Sequence, residues 1–255
     1  MDREGKYIYC IINAKQDRTF GPVGIGGRGD EVSTIGIDDL AMVISNHPLT
    51  NLVVNRENIL AHEKVIEEVM KEHTVLPVRF CTIASSADEI RSLLFKRQTE
   101  FRNLLRDMDH KVELGVKGLW RDMNVIFREI AREHKEIKKI KGRLKGDVEQ
   151  GRLRTKIEVG KLVETALMSK KEEDAERVIA ALKGSAFDYQ LNNAIGEEMF
   201  MNASFLVGKG REKEFDHVME EISDAYKDRM RFFYAGPLPP YNFVNVAVHR
   251  EEWEK

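Results

Sequence analysis

The sequence predicts an α+β protein in two parts. Residues 1–120 read as a ferredoxin-like α+β domain, and residues 121–255 as a domain of long helices in a coiled-coil-like hairpin with a small α+β sheet unit. Three observations predict this. Aromatic and β-branched runs alternate with helical patterns up to about residue 120. From Asp122 to Lys183 there is no proline and no aromatic residue except Phe127, and apolar residues step by threes and fours. Mixed strand and helix patterns then resume from about residue 197.

Each element has its own signal. Residues 6–13 (Lys-Tyr-Ile-Tyr-Cys-Ile-Ile-Asn) read as a buried strand, and the Gly-rich residues 21–30 as a loop. Residues 32–37 and 40–45 read as short strands split by Asp38-Asp39. Between Arg56 and His73, Ile59, Ile66, Val69 and Met70 recur at helical spacing. Val75 to Ala84 reads as a strand interrupted by Pro77. Ser86 and Glu89 form a capping box for one long helix marked by Ile90, Leu93, Leu94, Phe101, Leu104 and Leu105. Lys111 to Trp120 alternates Val112, Leu114 and Val116 with charged or small residues, as a half-buried strand does.

In the middle, Ile126, Ile130, Ile137, Ile140 and Leu144 form a narrow stripe typical of paired helices. Gly142, Gly146, Gly151 and Gly160 would each weaken a helix by about 1 kcal/mol relative to alanine. The expectation is a helix that bends or breaks near residues 142–151, a return helix from Leu162 to Met168, and a further helix holding Val178, Ile179 and Leu182. Met199 to Val207 reads as a strand, Phe215 to Tyr226 as a helix, and Arg229 to Tyr234 and Phe243 to Val248 as strands.

Composition narrows the function classes. Hydrophobic residues make up 42% and charged residues 33% of 255, which describes a soluble globular chain rather than a disordered one. A net charge of −2 gives no global attraction to nucleic acid or anionic membrane, and no apolar run is long enough to span a bilayer. Cys10 and Cys81 both sit in apolar runs, so they read as buried small hydrophobes in a reducing, cytoplasmic compartment. Gly24-Ile25-Gly26-Gly27-Arg28-Gly29 matches a dinucleotide fingerprint in spacing alone. It is followed by Asp30-Glu31 and a strand pattern, not by a helix N-terminus that could hold a phosphate. His62 and His73 read as packed helix residues, with no second ligand at metal spacing. No nucleophile–base order is present. The expectation is no catalytic site, no metal and no cofactor.

Two charged features remain. Lys135, Lys138, Lys139, Lys141, Arg143 and Lys145 face a single acid, Glu136, within residues 135–145. Residues 128–161 carry an excess of six positive charges and 162–255 an excess of six negative ones. With no interleaved aromatics, this reads as an orienting surface for a protein partner or a second copy of the chain, not a nucleic-acid site. Arg79 lies in an otherwise apolar run, where a buried guanidinium must be paired. Structural pairing to a carboxylate is favoured over projection toward a partner.

The most specific stretch is Gly236-Pro237-Leu238-Pro239-Pro240-Tyr241-Asn242-Phe243, with three of the six prolines. Each proline fixes its backbone and removes a donor, so the segment is stiff and stops a preceding strand. It joins four other pieces in order: Tyr7-Ile8-Tyr9-Cys10-Ile11, His62-Glu63, Val75 to Thr82 with Leu76-Pro77-Val78-Arg79-Phe80, and Asn202 to Val207. Taken together, the ordered set resembles the gas vesicle protein F/L family (GvpF/GvpL). Its members carry a Tyr-x-Tyr-Gly-Ile strand, a His-Glu on a helix, Val-Leu-Pro-Val-Arg-Phe-Gly-Thr and a closing Gly-Pro-Trp-Pro-Pro-Tyr-x-Phe. Cys10 and Cys81 stand here where glycine is usual, and Leu238 where tryptophan is usual.

The resemblance implies a non-catalytic accessory or minor structural protein of gas vesicles. It implies the major shell protein and other accessory proteins as partners, and location in the cytoplasm and at the vesicle. The alternative is a small-ligand-sensing regulator on a ferredoxin-like scaffold. Candidate partner-binding residues are Arg79, Phe80, Pro237, Pro239, Pro240, Tyr241, Phe243, Lys138, Lys139 and Lys141. The prolines are expected to lock a link between two strands of the C-terminal unit, with Tyr241 and Phe243 packed near Phe215 or Met219.

Overall fold

The computed structural model describes residues 4–49, 52–134 and 149–248. It is a mixed α+β protein with two separate sheets. The chain divides into two compact units, Met1–Glu113 with Pro237–Lys255, and Leu114–Gly236. The sequence places one boundary near residue 120 and leaves the C-terminal residues with the second domain. The division instead falls inside two strands, where no linker composition marks it.

The first unit is built on a six-stranded sheet with the order β2-β3-β4-β1-β5, and β6 also pairs with β1. The strands are β1 (Glu4–Asn13), β2 (Thr19–Gly21), β3 (Val32–Ile37), β4 (Leu40–Pro48), β5 (Val75–Pro77) and β6 (Ile83–Ala84). This differs from a four-stranded ferredoxin-like sheet, because β1 pairs antiparallel with β4 after the β2 and β3 strands rather than after a helix. Every residue of β1 from Tyr7 to Ile12 is fully buried. Successive side chains point to opposite faces, so both faces are covered. Helix α1 (Arg56–Met70) contributes Val65, Ile66 and Val69 to the core that holds Tyr7, Tyr9 and Ile12. Asn55 caps α1, its side chain accepting the backbone N–H of Asn58.

The long helix expected after Ser86 is two helices, α2 (Ala87–Lys96) and α3 (Gln98–Met108), separated at Arg97. Ser86 caps α2 as expected, but Glu89 returns its hydrogen bonds to Ser85. The expected strand from Val75 to Ala84 is likewise interrupted by a turn between β5 and β6. Cys81 sits in that turn with φ of 69°, where L side chains are strained, and it is exposed rather than buried. The left-handed conformation costs about 1–2 kcal/mol for an ordinary residue. Glycine's larger unfolded-state entropy takes back about 0.5–1 kcal/mol. Cys81→Gly is therefore expected to raise stability by about 1 kcal/mol in urea unfolding, and an unchanged or lower midpoint would contradict the strain.

The second unit carries the four-stranded sheet β10-β7-β9-β8. Its strands are β7 (Lys111–Trp120), β8 (Asp188–Leu191), β9 (Met199–Gly208) and β10 (Met230–Leu238). Strand β8 has no counterpart in the sequence reading, because its four residues are all exposed and show no alternation. Strand β10 continues through Pro237, which a sheet tolerates because β10 is an edge strand and one side needs no donor. Helices α4 (Met123–Glu133), α5 (Glu149–Leu182) and α6 (Glu212–Ala225) share one core with the sheet, among them Ile126, Ile130, Val178, Leu182, Phe205 and Phe215.

Helix α5 is continuous from Glu149 to Leu182, whereas the sequence predicts separate helices beyond a break near residues 142–151, most of which lie outside the described residues. Burial of Ala166, Ala175, Val178, Ile179 and Leu182 supplies the stability that local propensity lacks. Residues 135–148, with the turn of the expected hairpin and Ile137, Ile140 and Leu144, lie outside the described residues. Gly160 is exposed, and a Cβ there meets nothing within 4 Å. Gly160→Ala is expected to stabilise the second unit by about 1 kcal/mol. Thermal melting checks this, and a lowered midpoint would mean that the glycine is needed for local bending.

Candidate functional site

The family-like motifs of the first unit converge on one cleft of about 280 Å³, lined by Ile59, His62 and Glu63 of α1, by Pro77 to Phe80, and by Tyr241, Val244, Asn245 and Val246. Arg79, Phe80 and Tyr241, which the sequence singled out, come together here although 161 positions separate Phe80 from Tyr241. The two walls are joined by a parallel bridge between Val78 and Val246. That bridge is all that forms of the strand expected over Phe243 to Val248.

The Val78–Thr82 turn is held from beneath by a buried relay. The Cys81 N–H donates to Tyr7 Oη at 3.2 Å, and Tyr7 Oη lies 2.9 Å from His62 Nδ1. Burial pushes the Tyr7 hydroxyl well above its usual range, so it stays protonated and donates to Nδ1. The remaining ring N–H of His62 is then free to bond the backbone of Val78. Burial lowers the His62 pKa to about 4, and the Val78 bond opposes that shift only in part. The ring is stacked on Tyr9 at 5.6 Å and meets Phe80 edge-on at 5.6 Å. His62 is thus a neutral packed residue, as its place on the helix predicts. Thr82 Oγ1 donates to the Arg79 carbonyl at 2.6 Å and completes the turn.

Arg79 departs from its expected role. Its residue is exposed, and its guanidinium makes no ion pair among the described residues. Turn geometry explains this: with β5 ending at Pro77, Arg79 leaves the sheet instead of alternating within it. Cys81, two residues further on, is no activated nucleophile, because desolvation raises its thiol pKa.

The Pro-rich segment forms the other wall. Pro237 is exposed at the end of β10, while Pro239 and Pro240 are buried. The Tyr241 N–H donates to the Pro239 carbonyl at 2.7 Å, and those of Phe243 and Val244 donate to the Pro240 carbonyl at 3.2 and 3.0 Å. Tyr241 does not pack near Phe215 or Met219, which belong to the core of the second unit. It packs against the Tyr7, Tyr9 and Val65 core of the first, and Phe243 lies half-buried in the same unit. The chain returns after β10, so a segment read as a link within one unit completes the other.

Glu113 is the residue that the sequence hides. It sits at an alternating position of β7 but is 2% exposed, and its carboxylate accepts the Asn242 backbone N–H at 2.8 Å and the Asn242 side-chain amide at 2.5 Å. The Asn within Pro-Tyr-Asn-Phe was the available signal, since a turn residue with two donors calls for a fixed acceptor. Tyr241 Oη is buried without a hydrogen-bond partner among the described residues. Desolvation and the Glu63 charge keep that hydroxyl protonated, so it is a donor lacking an acceptor.

Lys138, Lys139 and Lys141 lie outside the described residues. Among the described residues, no group of three His, Cys, Asp or Glu side chains could hold a metal ion, and no helix is long and apolar enough to cross a membrane. The family model described as gas vesicle synthesis protein GvpL/GvpF matches residues 5–245, and the chain belongs to that family.

Its relatives include F proteins. Gas vesicle protein F of Nostoc sp. (strain PCC 7120) is 26% identical over 246 residues, covering 95% of this chain and 99% of the relative. Gas vesicle protein F of Streptomyces sp. (strain CB03234) is 29% identical over 243 residues, covering 93% and 98%. The crystal structure of the gas vesicle protein GvpF from Anabaena sp. PCC7120 is similar with a TM-score of 0.82 and 25% identity, over 96% of this chain and 100% of that one. GvpF from Microcystis aeruginosa shares the fold, with a TM-score of 0.78 at 22% identity over 95% and 99%.

Proposed function

We propose that this protein is a non-catalytic accessory or minor component of gas vesicles that binds the hydrophobic shell subunit and supports assembly in the cytoplasm. The carrying observation is the family match over residues 5–245. A shell that faces gas needs an apolar subunit, and such a subunit needs a soluble partner before it is incorporated. Exposed apolar residues beside an unpaired strand edge suit that task. Among the described residues strand β8 is such an edge, with Phe187 and Leu191 each 61% exposed and Ile195 77% exposed.

Co-expression tests the reading. The shell subunit is expected to move from the pellet to the supernatant and to co-elute with this protein. A subunit that stays fully insoluble at an excess of this protein would refute the holding role.

A further inference from the structure

We propose that the first-unit cleft binds an extended, acidic segment of a protein partner. One apolar side chain enters the cleft, and a neighbouring carboxylate pairs with Arg79. The partner class rests on the accessory reading above, while the site rests on the cleft alone.

Size argues first. At about 280 Å³ the cleft lies at the lower end of small-molecule pockets, which run to about 1,000 Å³. It suits one or two side chains better than a nucleotide or other large cofactor. Ile59, Phe80, Val244 and Val246 supply the apolar lining.

Charge then selects the ligand. Arg79 is an exposed guanidinium without an ion pair among the described residues, on a turn held by the Tyr7–His62 relay. A guanidinium on a fixed backbone is suited to two-point pairing with a carboxylate. Glu63, on α1, is the other charged lining residue and disfavours a carboxylate on its side, so the acidic group is directed to Arg79. Tyr241 lends its side chain to the cleft wall, but its hydroxyl is buried and out of a ligand's reach, so Arg79 is the group that selects the ligand.

Two synthetic octapeptide pools test this, identical in their apolar residues and differing only in a central Asp or Asn. Fluorescence anisotropy with the full chain is expected to show the Asp pool binding about tenfold more tightly, as a charge-assisted pair at a partly desolvated site should. Arg79→Gln is expected to abolish the preference without changing the melting temperature, because the side chain is exposed. Tyr241→Phe is expected to leave the preference for the Asp pool in place while keeping or raising the melting temperature, since it removes a buried unpaired donor. Equal binding of the two pools, binding of neither, or a preference that survives Arg79→Gln would overturn the proposal. Co-elution of the shell subunit is scored separately. If the subunit co-elutes and the pools are not distinguished, the cleft assignment fails and the accessory role stands. The reverse result removes the accessory role and keeps the cleft.

Discussion

Asp174→Ala is expected to destabilise the protein by about 3–5 kcal/mol, the cost of stranding buried partners of a removed charge. The Asp174 side chain has no exposed surface. Its Oδ2 accepts from Trp120 Nε1 at 2.8 Å and from Arg229 Nη2 at 2.8 Å, and its Oδ1 accepts from Arg177 Nη1 at 2.9 Å. Arg229 also pairs with Glu129 of α4, and Lys170 of α5 reaches Glu129 at 3.5 Å and Glu133 at 2.6 Å. One carboxylate thus fastens α5 to β7 and to the start of β10. Without it, the buried Trp120 indole N–H loses its acceptor, and the half-buried Arg229 guanidinium keeps only Glu129. Asp174→Asn keeps the shape and one acceptor oxygen, so a smaller loss is expected. Urea unfolding of the two variants measures both effects. A loss below about 1 kcal/mol for Asp174→Ala would show that water replaces the carboxylate readily, as it does at surface pairs.

Acidification should weaken the first unit through His62. In the folded protein the ring titrates at about 4, because burial excludes the charged form, against 6.5 for an unperturbed histidine. Between those two values the unfolded chain takes up a proton that the folded chain refuses. This stabilising contribution is complete above about pH 6.5, shrinks as the pH falls, and is gone near pH 4. Each pH unit is worth about 1.4 kcal/mol, so the total is about 3 kcal/mol. Other groups titrate in the same range, so the measurement is a comparison. Unfolding free energies of the wild type and of His62→Gln are followed from pH 7 to 4.5. The variant is expected to start less stable and to lose stability less steeply, by about one proton. Parallel slopes would mean that His62 is solvated enough to titrate normally.

The relay and the network differ in how far a sequence reveals them. The His62 position was legible because it falls on the apolar stripe of α1, where the bland reading of a packed histidine is the right one. Arg79, Phe80 and Tyr241 were legible as a set through their motifs, but not as one site, since no periodicity joins residues so far apart in the chain. Glu113 and Asp174 were not legible. Alternation and helical spacing assign charged residues to solvent, and a carboxylate is stable inside only because particular donors, Asn242 for one and Trp120 with Arg229 for the other, arrive from distant segments. Most strands and helices followed from local pattern. The errors fell where tertiary packing overrode it: α5 runs through its glycines, and the exposed β8 exists only because β9 pairs with it.

The return of the chain to its first unit also orders events during synthesis. The second unit is continuous in sequence, while the first lacks one cleft wall until Tyr241 and Val246 have been made. At about 5–20 residues per second, a ribosome needs on the order of ten seconds to travel from the Phe80 wall to the Tyr241 wall. Throughout that interval Glu113 has no Asn242 to hold, and the cleft does not exist. A truncated product that ends before Pro237 could carry Arg79 and every residue of α1 and still offer nothing to grip. The cleft is thereby tied to synthesis having passed Val246.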